Sequence, residues 1–352
     1  AFRQPFLASL DRQLRHLNRA AGGVVAGQPS LKVALGLVTG GLALPGHRAR
    51  AERGLALLQR ELASSIAPDG GHVSRSPSTQ MAVLRDLVQF RDGLLAASEA
   101  VPVELRNAID RMAPMLRACR HGDGGLALFN GGFEEDREAV EITLVRSGAE
   151  GKALANAPHS GFQRLATGAS LVIMDTGPGA EGIALAGRHA GAQSFEFSRG
   201  RQRLVVNCGS GVDRDPEWRA AMRVSAAHST LVVDDANNAE PTGPGRKDRI
   251  EAGRIERNED EDGNLWLNSV HDGYRRSFGL RHRRRLYLVA SGEDLRGEDR
   301  LLSDLADGDE RPFALRFHLH PAVQASLLQA GAQALLRLPS GEGWRFRASG
   351  GE

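Results

Sequence analysis

Tyrosine, cysteine and long apolar runs are scarce in this chain of 352 residues. Its two cysteines, Cys119 and Cys208, are too few for a disulfide scaffold or a cysteine-based zinc site. Its two tyrosines, Tyr274 and Tyr287, both fall late in the chain, so the first half holds no phenol to serve as acid or base. The most apolar stretch, Leu31 to Leu44, is short and interrupted by Gly36, Gly40 and Gly41, which excludes a membrane span there. Also absent are the phosphate-binding pattern G-x-x-x-x-G-K-S/T, a dinucleotide fingerprint, a G-x-S-x-G elbow and an H-E-x-x-H pair. The chain starts at Ala1, shows no secretory signal, and ends in Ser349-Gly350-Gly351-Glu352 without a domain boundary. It is expected to be a fragment of a longer protein.

What is present is ordinary for a soluble globular chain: 41% hydrophobic and 25% charged residues, with a formal net charge of +2. Such a balance gives no reason to expect a nucleic-acid partner. Arginine greatly outnumbers lysine. That bias reflects either base composition or a surface whose planar guanidinium forks grip carboxylates and sulfates.

The length accommodates two domains. Phe6, Leu7, Leu10, Leu14 and Leu17 recur at helical spacing with Arg12, Arg15 and Arg19 between them. Leu31 to Leu44, Arg48 to Ser64, Ser78 to Ala100 and a segment from Pro102 to about Arg120 read as further helices. From about Leu126 the period changes. Glu141–Val145, Ser170–Met174, Phe195–Asn207, Thr230–Val233, Trp266–Val270, Leu286–Val289 and Ala314–Leu319 read as short strands between Gly, Asp and Pro turns. The expected fold is α+β and multidomain, with α-helices over residues 1–125 and an antiparallel β-sandwich over 126–352. The boundary is expected between residues 121 and 136, and Asp234–Arg249 is expected to be a long surface loop.

Three stretches organise the functional reading. Arg188-His189-Ala190-Gly191-Ala192-Gln193-Ser194-Phe195-Glu196 leads into one strand, Leu204-Val205-Val206-Asn207-Cys208-Gly209 closes the next, and Ala227-His228-Ser229-Thr230 opens a third. If His189 begins its strand and Asn207 ends the antiparallel neighbour, both imidazoles and the carboxamide converge at one end of a sheet. That is a candidate metal or catalytic site.

The order H-x-G-x-x-S-F-E, V-V-N-x-G, A-A-H-S-T-L resembles the C-terminal β-domain of the heparinase II/III-like polysaccharide lyases. In that family two histidines and an Asp bind zinc. The resemblance therefore implies His189, His228 and Asn207 as the metal cluster, with zinc affinity lowered because Asn207 stands where the family has Asp. It also implies that the helices are the last hairpins of an incomplete (α/α) toroid. Pro68-Asp69-Gly70-Gly71-His72-Val73-Ser74-Arg75-Ser76-Pro77-Ser78-Thr79-Gln80 resembles the toroid segment that carries a catalytic Tyr in the family, yet it holds no Tyr. The same segment also reads as a helix-connecting turn capped by Ser76 or Ser78.

From this resemblance the expected activity is cleavage of a uronic-acid-containing glycan, heparin-like or alginate-like, by β-elimination. His72 or His189 would act as acid or base, and Arg75, Gln80, His159, Arg164 and Arg223 would bind substrate. The alternative is a non-catalytic protein of the same scaffold that binds acidic glycans or belongs to the cell envelope. The partner in either case is an acidic polysaccharide, and a periplasmic or envelope location would follow from the family alone. Two motifs stay outside this scheme. His282-Arg283-Arg284-Arg285 reads as a polyanion grip or, preferably, a solvated strand face. Phe317-His318-Leu319-His320 reads as a core strand in preference to a metal pair.

Overall fold

The computed structural model describes residues 2–177, 187–211, 215–239, 252–303 and 311–350. Its first part is helical: α1 (Arg3–Ala20), α2 (Gln28–Ala43), α3 (Arg48–Ser65), α4 (Pro77–Ala96) and α5 (Val103–Ala118). The glycines that break up α2 are sites of close approach. A Cβ on Gly36 or Gly40 would come within 2.9 Å of Leu17 or Leu14 of α1, and one on Gly41 within 2.5 Å of the Ala51 backbone in α3. Ser76 caps α4 by accepting the Thr79 N–H, and Pro77 occupies its first turn.

A sixth helix, α6 (Arg137–Ser147), replaces the strand expected at Glu141–Val145. The β-branched residues there favoured a strand, but the ends decide otherwise. Asp136 accepts the Glu138 N–H at the start, and Gly148 closes the helix at φ 69°. Val140 and Leu144, one turn apart, are buried in the helical core, while Ile142 and Val145 face outward.

The rest is antiparallel β. One sheet contains β1 (Asn156–Ala157), β2 (Phe162–Thr167), β3 (Ser170–Asp175), β4 (Phe195–Arg199) and β5 (Gln202–Val206). After β6 (Leu231–Val233), a second sheet is formed by β7 (Ala252–Glu259), β8 (Leu265–His271), β9 (Leu280–Leu288) and β10 (Leu295–Ser303), in the order β10-β9-β8-β7. Leu265, Leu267, Leu286 and Leu288 of the second sheet pack on Leu165, Val172, Phe195, Phe197 and Leu204 of the first, giving the sandwich core. The single strand expected over Ala314–Leu319 is two: β11 (Phe313–Leu315) pairs with β6, and β12 (His318–Leu319) joins the first sheet beside β5. A final meander comprises β13 (Gln324–Leu328), β14 (Gln333–Arg337) and β15 (Gly343–Arg347). Residues 240–249 of the expected surface loop lie outside the described residues.

Two tight turns clamp the helices to the sandwich. After α3, Asp69 Oδ2 accepts the backbone N–H groups of His159 and Ser160, and Asp69 Oδ1 accepts the Ser160 hydroxyl. A Cβ on Gly70 would lie 2.0 Å from the Arg111 carbonyl oxygen, so only glycine fits, and its φ of +83° points the same way. After α5, Asp123 holds both Nε and Nη2 of Arg203 on β5.

Candidate functional site

His189 and His228 meet. Their ring centroids are 5.3 Å apart in an edge-on arrangement. His189 does not begin a strand: it lies in the loop before β4, which turns through Gln193 at φ 56°. His228 follows a 3-10 turn, and the Gly191 backbone lies against its ring. Asn207, immediately after β5, is nearby but committed elsewhere. Its Oδ1 accepts the Ser229 N–H at 3.0 Å, and its Nδ2 donates to Glu196 Oε1 at 3.1 Å.

Glu196 is the hub. Its Oε1 also accepts the backbone N–H groups of Leu128 and Asn207, and its Oε2 meets His121 Nε2 at 2.9 Å, all inside the protein. The ring's other nitrogen, Nδ1, meets the Ser198 hydroxyl. An acidic side chain between two core phenylalanines demands such partners, and that was the readable signal for it.

Burial holds the candidate imidazoles neutral. His189 is pushed down from 6.5 to about 4 by desolvation first and by Arg223 second, against a backbone hydrogen bond at Met222. His228 lies well below its ordinary value, through desolvation and then its neighbours His189 and His318. Both ring nitrogens of His228 and Nδ1 of His189 are buried without a hydrogen-bond partner, as is Nη2 of Arg223, whose Nε donates to the Arg188 carbonyl.

The donor set does not fit zinc. Among the described residues it offers two imidazoles and a carboxamide already engaged at both ends, with no anionic ligand and with the Arg223 cation beside it. Among the described residues no group of three or more His, Cys, Asp or Glu side chains is arranged for a metal ion.

The second motif abuts this pair through the Asn130-Gly131 loop. Asn130 Nδ2 donates to Asp175 Oδ2 and to the Arg75 carbonyl, and the Gly131 backbone lies beside His189 Nε2. Arg75 itself is spoken for: its guanidinium pairs with Asp175, its Nε donates to the Ser160 carbonyl at 2.8 Å, and it lies over the Phe162 ring. His72 is buried, accepts the Ser74 N–H at Nδ1, and is pushed down to about 4 by desolvation. Gln80 is a buried tie. Its Oε1 accepts the His72 N–H, and its Nε2 donates to the carbonyls of Gly70 and Met112.

The remaining candidates are dispersed. His159 is exposed at the Asp69 clamp. Arg164 donates to the carbonyls of Ala118 and Arg120 at the end of α5 and lines a cavity of about 400 Å³ with Arg117, Arg120 and Arg201. Sequence reasoning missed Asp175, Glu196 and His121. The first two sit in hydrophobic strand runs, where an acidic residue signals a buried partner, but the identity of those partners, far away in sequence, comes only from the fold.

The buried histidines set an acid limit on stability. Their folded values lie below the unfolded one, so the unfolded chain takes up protons first as pH falls. Stability is complete above about pH 6.5. It declines by up to about 1.4 kcal/mol per pH unit for each of His72 and His189 as pH falls toward 4. Urea unfolding at stepped pH should show the midpoint dropping steeply over that window, and a flat profile would show that these rings are not buried neutral.

A family model described as Heparinase II/III-like, C-terminal, matches residues 149–352. FtsZ-localized protein C of Caulobacter vibrioides (strain NA1000 / CB15N) is 35% identical over 358 residues, covering 96% of this chain and 60% of that protein. A mutant of the heparan sulfate lyase HepC from Pedobacter heparinus superposes with TM-score 0.75 at 15% identity, over 99% of this chain and 56% of the other. A Heparinase III structure gives 0.74 at 15% identity, over 96% and 56%. The chain thus spans less than two thirds of the length of these proteins. The structural likeness shows a shared architecture, toroid helices followed by an antiparallel sandwich. With more than half of its residues matched by the family model, the chain belongs to the heparinase II/III-like family and carries a polysaccharide-lyase scaffold.

Proposed function

We propose that this chain holds an acidic polysaccharide on its lyase scaffold without cleaving it. β-Elimination needs a cation or proton donor to neutralise the uronate, a base for the C5 proton and an acid for the leaving oxygen. The observation that carries the reading is the internal engagement of Arg75 by Asp175 and the Ser160 carbonyl, which cancels the charge a uronate would need. The proton-transfer groups point the same way. Tyr274 is fully buried and donates its hydroxyl to the Leu231 carbonyl, Tyr287 lies on the second sheet, and His72 and His189, pushed down to about 4 by burial, are weak bases that carry no proton to donate at neutral pH. The Caulobacter relative is named for where it localises and not for a reaction, which suits a binding role.

Incubation with heparin, heparan sulfate, alginate and hyaluronan between pH 5 and 9 should yield no unsaturated uronate absorbance, while retention on at least one of these glycans persists. Product formation that disappears in His189→Ala would overturn the reading. One observation favours cleavage instead: both ring nitrogens of His228 and Nδ1 of His189, on rings 5.3 Å apart, are buried without a hydrogen-bond partner, as a base awaiting substrate would be.

A further inference from the structure

The run His282-Arg283-Arg284-Arg285 is divided by the pleat of β9. His282 and Arg284 point inward and are buried, whereas Arg283 and Arg285 point to the other face together with Tyr287. Register extends that outer face across the sheet. Trp266 of β8 stands opposite Tyr287, and Tyr287 opposite Arg296 of β10. The next row sets Asn268, Arg285 and Glu298 side by side, and the row after it Arg283 beside Arg300.

The rings of Trp266 and Tyr287 lie 4.2 Å apart and are tilted by 47°, forming a shallow aromatic corner, with the Arg296 guanidinium carbon 5.6 Å from the Tyr287 centroid. Trp266 is 43% exposed, far more than a large aromatic in a sandwich needs to be, because the apolar core is on the opposite face of the strand. Beside this platform Arg283, Arg285 and Arg300 all approach a single carboxylate, Glu298, at 3.6, 3.6 and 2.5 Å. Glu256, which accepts the Asn268 amide in the same row, and Asp294, which pairs with Arg296, offset part of that charge, and the four arginines Arg283, Arg285, Arg296 and Arg300 still outnumber the carboxylates Glu256, Asp294 and Glu298.

We infer that the outer face of β8, β9 and β10 is a docking surface for an acidic polysaccharide, with a sugar ring seated on Trp266 and Tyr287 and its anionic groups on Arg283, Arg285 and Arg300. This rests on the glycan-binding reading above and gives it a location away from the His189–His228 pair. The chemistry of the two halves is complementary to one chain. The C–H face of a pyranose matches an aromatic platform, and carboxylate or sulfate groups on neighbouring residues match guanidinium forks one strand spacing away. Trp, Tyr and Arg are also the residue types that most often dominate binding surfaces.

Titration of the whole chain with heparin and with alginate oligosaccharides tests the location. Trp266→Ala and Arg285→Glu are each expected to weaken binding at least tenfold while the fold stays intact by far-UV circular dichroism, with a lowered thermal midpoint only for Trp266→Ala, whose ring packs on Tyr287. Arg12→Glu, an equal charge reversal on α1, should leave affinity unchanged. Wild-type affinity should fall steeply with added salt, and a neutral glucan should not compete. If the wild type binds but Trp266→Ala and Arg285→Glu bind as well as it does, or Arg12→Glu is equally damaging, the glycan is held elsewhere and this proposal fails while the binding role survives. If the wild type binds neither glycan, both fall. If single-stranded DNA binds more tightly than either glycan and loses affinity in the same variants, the face belongs to a nucleic acid and the proposal is wrong.

Discussion

Asn207→Asp is expected to cost about 3–5 kcal/mol at neutral pH, the usual penalty for an uncompensated buried charge. The substitution changes one atom and would bring the chain closer to the family pattern, so tolerance would be the naive expectation. In this protein, however, the Asn207 Nδ2 donates to Glu196 Oε1, and both residues are almost wholly buried. An aspartate would set a second carboxylate against the first. Its folded pKa would therefore be raised, and the deficit should shrink as pH falls and the pair takes up a proton. That trend runs opposite to the acid sensitivity of the wild type. Denaturant unfolding of both proteins at pH 7.5 and 5.5 measures it. If stoichiometric zinc instead brings Asn207→Asp to or above wild-type stability, an anionic ligand is all the histidine pair lacks.

Arg284→Leu should be comparably severe, on the order of 4 kcal/mol. The guanidinium is 1% exposed. Its Nε pairs with Asp299 at 2.7 Å, its Nη1 donates to the carbonyls of Gln193 and Ser229, and its plane lies over Phe195. Removing it leaves the Asp299 carboxylate with His282 alone and strands two carbonyl oxygens in the interior. Asp299 is held well below the usual carboxylate range, chiefly by Arg284 and then by His282, against the opposing effect of burial. A double-mutant cycle checks the cause: adding Asp299→Leu to Arg284→Leu should recover part of the loss, whereas additive losses would show that packing over Phe195 matters more than charge. Because Gln193 and Ser229 adjoin Ser194 and His228, the single variant should also loosen the histidine pair, visible as a shifted or broadened His228 imidazole resonance.

The architecture was legible because its signals are periodic: leucines at helical spacing in α1, alternation in β8 and β9. The exceptions were settled by single residues. Glu141–Val145 has a strand-like composition, and it took Asp136 and Gly148 at its ends to make it a helix. The meeting of His189 with His228 could be read from their order beside strands. The neighbourhood that defines their chemistry could not, because it is assembled from Asn130, Asp175, Glu196 and Arg223. Arg75 shows the limit most plainly: from sequence it is a free cation for substrate, and only the fold reveals Asp175, exactly a hundred positions away, already bound to it. The basic run on β9 reads from sequence as a solvated strand face, which holds for Arg283 and Arg285, but the burial of His282 and Arg284 and the Trp266 ring beside the run needed the fold and the strand register.

The Asp69 and Asp123 clamps sit on different turns and grip different parts of the sandwich, the β1–β2 turn and strand β5. A rigid body pinned at a single point can swivel freely, while one pinned at two can turn only about the line through both pins. The helical half therefore can neither twist nor slide over the sandwich, and the one motion these pins leave it is a rocking about the line that joins the two turns.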